Sequence, residues 1–161
     1  MFIAIKSKIS KKFYRVLLCF AVVFVCAVVV VTACVIQKTP KKNIECEKGE
    51  YSAVLSADNG VELFASQFSY EIDEMIYEKQ VRIPSQFSDT YEEYNEVQLL
   101  QGLDLNEYKG EECTLCVFKL KNYTIDYEKA FLTILSKSNT VIGGHLSTYQ
   151  YDSEIYTFFG E

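Results

Sequence analysis

The sequence predicts an α+β protein: an N-terminal transmembrane helix followed by a small domain of two helices packed on an antiparallel β-sheet. Three observations carry this reading. Residues 16–36, VLLCFAVVFVCAVVVVTACVI, run for 21 positions without a charge. Residues 85–101 repeat aromatic and amide side chains at helical spacing. Residues 112–149 alternate as strands, broken by a turn signal at Ser138-Asn139.

A helix of 21 residues spans roughly 31 Å, which matches a bilayer hydrocarbon core of ~30 Å. Valine dominates the run and forms helices poorly in water, but in lipid an unpaired backbone group costs far more than that preference. Lys6, Lys8, Lys11, Lys12 and Arg15 precede the run with no acidic residue. Lys38, Lys41 and Lys42 follow it, diluted by Glu45, Glu47 and Glu50. This bias places residues 1–15 in the cytoplasm as a basic tail and the C-terminal domain outside. Val31-Thr32-Ala33-Cys34 also fits the pattern of lipoprotein processing, in which small residues precede a cysteine that is lipidated and becomes the new N-terminus. The length of the run and its continuation through Val35 and Ile36 favour an uncleaved, single-pass signal anchor. Both readings tether the domain to the cell membrane on its outer side. Residues 37–50 carry Pro40, lysines, Asn43 and Gly49 and read as a linker to a domain over 51–161.

Five of the 16 basic residues and none of the 22 acidic ones lie in the first 36 positions, so the remainder has 11 basic and 22 acidic residues, a net charge of −11. Such a domain repels nucleic acid, anionic lipid and anionic wall polymers. Cys19, Cys26 and Cys34 sit in the apolar run. Cys46, Cys113 and Cys116 lie beyond it, enough for one intramolecular disulfide at most.

Along the domain, 56–68 reads as a short helix capped by Asp58 or Asn59, with Val61, Leu63, Phe64 and Phe68 as its stripe. Residues 70–73 and 77–83 read as two short strands. Pro84 stops the second and opens a helix over 85–101, in which Phe87, Tyr91, Tyr94 and Gln98 share a face and Glu92, Glu93 and Glu96 occupy the other. Gly102 suits the position just past its end. Strands follow over 112–122, 128–137 and 140–149. Gly143-Gly144 in the last marks a bulge or a close backbone approach. The aromatic tail 151–161 reads as an edge strand or a packed terminus.

From Val81 onward the chain carries an ordered series: Val-Arg-Ile-Pro-x-x-Phe at 81–87, Tyr91-x-x-Tyr94-Asn95-x-x-Gln98, Gln101-Gly102-x-Asp104-Leu105-x-x-Tyr108-Lys109-Gly110, Asn122-Tyr123 and Val141-Ile142-Gly143-Gly144. This series resembles the family of small membrane-anchored bacterial proteins known as domain of unknown function 4830. It departs from that pattern at His145 and Ser147, where the family carries an acidic residue and a cysteine. The resemblance implies a tethered extracytoplasmic domain and no catalytic assignment.

Candidate chemistry is sparse. Cys113 and Cys116 lie in a strand, where residues three apart point to opposite faces, so they do not form a thioredoxin-type pair. Zinc would need ligands beyond Cys46 and His145, and no metal or cofactor is expected. Asp89, Glu92, Glu93 and Glu96 crowd one helix instead of facing each other across a groove, as paired glycosidase carboxylates do. The candidate binding residues are Tyr91, Tyr94, Asn95, Gln98 and His145. As core, the rings bury and the hydroxyls find partners; as a site, they grip a peptide or glycan. The leading expectation is a non-enzymatic module binding a protein or ligand, with an envelope or membrane protein as partner and no nucleic acid. The alternatives are an envelope enzyme acting on wall glycan or thiols, and a lipoprotein anchored through Cys34.

Overall fold

A computed structural model describes residues 43–55, 58–125, 128–148 and 154–160. The apolar run 16–36 and Cys34 lie outside these, and among the described residues no helix is long and apolar enough to cross a membrane. The described chain is an α+β domain built on an antiparallel meander. Two short strands, β1 (Asn43–Cys46) and β2 (Gly49–Ser52), pair as a hairpin. Then come helix α1 (Gly60–Ser66), strand β3 (Ile72–Arg82), helix α2 (Asp89–Leu100) and a 3₁₀ turn (Leu105–Tyr108). Strands β4 (Glu112–Ile125), β5 (Glu128–Lys137) and β6 (Thr140–Ser147) complete a four-stranded sheet in the order β3-β4-β5-β6.

The alternation of the strands dictates two cores. On one face Phe118, Leu120, Leu132, Ile134 and Leu146 meet Ile44 and Tyr51 of the hairpin, Phe64 of α1 and Phe158 near the C-terminus. On the other, Cys113 and Leu135 meet Ile83, Leu105 and Tyr108, with Tyr91 and Tyr94 of α2 against them. The two helices therefore serve opposite faces. Six rings around Tyr51, Phe64, Phe68, Tyr70, Phe158 and Phe159 interlock mostly edge to face, with centroids as close as 5.1 Å between Phe64 and Phe158.

Several expectations change in detail. Residues 43–50, read as linker, are largely strand, and Ile44 is buried in the first core. The two short strands over 70–83 are one strand of 11 residues. Bulges between Ile72 and Glu74 and between Met75 and Tyr77 shift its register, which is why the alternation breaks in the sequence. Helix α2 starts at Asp89 rather than 85, because Ser88 is the cap and its hydroxyl accepts the Tyr91 N–H. Asn59 stands at the cap of α1, but its side chain makes no capping bond. Of the two readings of the tail, its described residues follow the packed terminus: Phe158 is fully buried, and Tyr156 forms a single bridge to Leu146.

Other signals hold. Ser138 and Asn139 have φ of 49° and 58°, the left-handed pair of a tight hairpin turn. Gly102 has φ of 79° and ends α2 in a Schellman arrangement: Leu103 N–H donates to Gln98 O and Gly102 N–H to Leu99 O, at 2.9 and 3.0 Å. Gly144 is a point of close approach. A β-carbon there would collide with the Thr133 carbonyl and sit 2.7 Å from the Phe158 ring. Gly144→Ala should therefore cost about 3 kcal/mol by overpacking between backbone and a buried ring. Gly110→Ala, where the nearest atom would be 3.7 Å away, should cost only about 1 kcal/mol, through its φ of 77°. Urea denaturation of both variants checks the contrast.

Candidate functional site

The five candidate residues gather where α2 meets β6. Strand β6 is the outer strand of the sheet, and Gly144 turns its N–H and C=O away from β5. Gly144 N–H donates to Gln98 Oε1 at 2.8 Å, and Gln101 Nε2 donates to Gly144 O at 2.9 Å. The two amides are joined, Gln101 Nε2 to Gln98 Oε1 at 2.8 Å, and Gln101 Oε1 accepts the Phe158 N–H at 2.9 Å. Gln98 and Gln101 are both fully buried. One turn earlier, Asn95 Oδ1 accepts the Leu105 N–H at 2.8 Å, and its Nδ2 donates to Asp104 Oδ1 at 3.0 Å. These groups are spent internally, and among the described residues no buried side-chain nitrogen or oxygen lacks a partner. The rest of the β6 edge is closed by backbone: Val141 N–H donates to Ala53 O, and Leu146 and Tyr156 exchange two bonds.

Tyr94 and His145 are brought together, the hydroxyl 3.1 Å from Nδ1 and the rings edge to face. Burial pulls the His145 imidazole down to about 4, so it is neutral at physiological pH, and burial pushes the Tyr94 phenol up. Tyr91 stacks between Phe87 and Tyr94, and its phenol is raised by burial and by nearby Cys113. Burial alone would raise the Asp104 carboxyl. Bonds from Asn106 N–H, Asn95 and the Asn106 amide, with Lys109 close by, bring it below its ordinary value. Three surface depressions lie elsewhere, and none is lined by the five candidates.

Those depressions run together around the C-terminal end of α2. One, of about 250 Å³, is lined by Ile44, Leu99, Asp104, Glu107 and Ile142. The next shares Leu99 and Gly102 with it and adds Glu45, Cys46 and Glu47. The third continues past Leu100 to Phe159. Leu99 and Leu100 stand 52% and 66% exposed along this furrow. Sequence reasoning missed both this furrow and Gln101. The signal for Gln101 was present: a Gln-x-x-Gln pair at the end of a helix, with Gly-Gly in an outer strand.

Among the described residues the thiols form no disulfide. Cys46, Cys113 and Cys116 are all free. Burial raises the Cys113 thiol; burial and Glu78 push Cys116 up to about 11, on the opposite face of β4. Asp89, Glu92, Glu93 and Glu96 are all exposed on α2. Among the described residues no group of histidine, cysteine, aspartate and glutamate could hold a metal ion.

The profile of the family described as "Domain of unknown function (DUF4830)" matches residues 64–146, from Phe64 of α1 to Leu146 of β6. The chain belongs to this DUF4830 family. Comparisons with curated proteins and with solved structures find no match. The matched segment contains the end of α1 from Phe64, the four-stranded sheet to Leu146, and the Gln98–Gln101–Gly144 contact. In this DUF4830 domain the contact ties the end of α2 to strand β6.

Two outcomes test this. Gln98→Ala leaves the Gly144 N–H without its acceptor in a buried place and should cost about 3 kcal/mol, read by urea denaturation. His145 titrates near 6.5 in the unfolded chain and near 4 in the folded one. The unfolded state therefore binds the extra proton between those values, and stability should fall as pH is lowered from about 6.5 to 4. His145→Gln should flatten that part of the stability–pH curve, measured by the same denaturation at stepped pH.

Proposed function

We propose that the protein is a membrane-tethered module, held outside the cytoplasm by residues 16–36, that binds a protein or ligand at the cell surface without catalysing a reaction. The observation that carries this is the furrow at the end of α2. Two adjacent leucines stand exposed there, while the side-chain polar groups of Tyr94, Asn95, Gln98 and His145 are hydrogen-bonded within the fold. An exposed apolar strip beside shallow depressions is what a docking surface requires. Catalysis requires convergent polar groups in a cleft. Here the one histidine is held by Tyr94 and kept neutral by burial.

The charge-free run and its basic N-terminal flank support the tether, with residues 1–15 inside.

The test is crosslinking in intact cells with the full-length chain, followed by identification of what co-purifies. One partner should appear in comparable amount from the membrane fraction and be lost with Leu99→Ser combined with Leu100→Ser. Both side chains are solvent-exposed, so this variant should keep its fold to within about 1 kcal/mol. An unchanged catch from the leucine variant, or nothing above background, would sink the reading.

A further inference from the structure

Resting on that binding reading, we propose that the furrow takes a cationic amphipathic segment of a partner protein, its apolar side chains against Leu99 and Leu100 and its lysines or arginines over the rim. The floor is apolar: Leu99 and Leu100 flank depressions whose walls include Ile44, Ile142 and Phe159. The rim is acidic on both sides. Glu45 and Glu47 come from the hairpin, Asp104 and Glu107 from the loop after α2. Glu45, Glu47 and Glu107 are exposed and make no ion pair among the described residues.

Two further features deepen the negative field. Helix α2 has no basic residue in its last turn, and the negative end of its dipole lies at the furrow. Asp104 keeps its charge through the amides that bond to it. The nearby Lys109 helps hold Asp104 ionised and has its Nζ 4.1 Å from the centre of the Phe87 ring. Lys48 lies at the far end, past Leu100. An anionic lipid surface or a nucleic acid would meet repulsion here. A wholly neutral apolar partner would cover the leucines and leave the rim carboxylates facing it without counter-charges.

The experiment uses the full-length chain in an uncharged detergent and two labelled peptides read by fluorescence anisotropy. One carries leucines at i, i+3, i+4 and i+7 with lysines on its other face. The second is the same peptide with glutamate for every lysine. Comparing variants in the same micelles cancels partition into detergent. The lysine peptide should bind at least about tenfold tighter than the glutamate peptide and weaken as salt rises. The combined Glu45→Gln, Glu47→Gln and Glu107→Gln variant should lose about tenfold for the lysine peptide only. The Leu99→Ser, Leu100→Ser variant should lose binding of both.

Equal binding of the two peptides, or no effect of the glutamine variant, overturns the proposal. So does a concentration-dependent dimer that the leucine variant abolishes, since a second copy would then fill the furrow. A tenfold gain on changing Lys38, Lys41 and Lys42 to glutamine would also overturn it, by showing that the chain covers its own furrow. The cellular crosslink separates the two levels. A partner lost with the leucine variant but kept with the glutamine variant leaves the binding module standing and removes the cationic segment. A partner kept with both removes both.

Discussion

Gln98 and Gln101 hold the two outward backbone groups of Gly144, and the placement of α2 follows from that contact. A carboxamide presents a donor and an acceptor in one plane, as a peptide group does, so two of them can imitate a rung of a strand that is not there. Helix α2 needs this because its fully buried residues are Asn95 and Gln98, not aliphatic side chains. Its position is fixed by directional bonds more than by buried apolar area. The same device recurs. Gln67 takes both backbone groups of Ser52, accepting its N–H at 2.7 Å and donating to its carbonyl at 3.0 Å. Asn122 accepts the Glu71 N–H and donates to Ser69 O. Side-chain amides thus stitch the irregular segments to the sheet wherever the ladder gives out.

The two edges of the sheet are handled differently. The β6 edge is covered along its length by Ala53–Leu55, the two glutamines and Tyr156. Among the described residues no strand pairs with the outer edge of β3, which exposes Met75, Ile76 and Tyr77. It is blunted by its two bulges and by charge: Lys119 pairs with Asp73 and Glu74, and Arg82 with Glu112 at 2.7 Å. Bulges and charged side chains are how sheet edges avoid pairing with strangers.

Elements with strong local signals were legible in the sequence. The end of α2 at Gly102, the Ser138-Asn139 turn, the meander from Glu112 to Ser147 and the close approach at Gly143-Gly144 each depend on a few residues with restricted conformations. What escaped depends on distant partners. The hairpin at 43–52 has Ile44, Cys46 and Tyr51 to mark its inner face among glutamates and a lysine, so its composition imitates a tether. Strand β3 hides its continuity behind bulges. The C-terminal segment shows aromatic residues but no periodicity, and its anchor is the single buried ring of Phe158. At the candidate site the shared face of Tyr94 and Gln98 was legible from their helical spacing. The sequence could not show that Asn95 and Gln98 face inward to backbone, because an amide reads the same whether it waits for a ligand or replaces a strand.

The match to DUF4830 ends at Leu146, while several groups that close the β6 edge come from outside the matched segment. Ala53 receives Val141 N–H, Tyr156 pairs with Leu146, and Phe158 seats its N–H on Gln101. Trimming the chain to 64–146 would strip these away and leave a hydrophobic strand with unpaired amides at a raw border. Such a border templates the addition of like strands, so a trimmed preparation would drift toward fibrils. The flanking residues act as chaperones built into the same polypeptide.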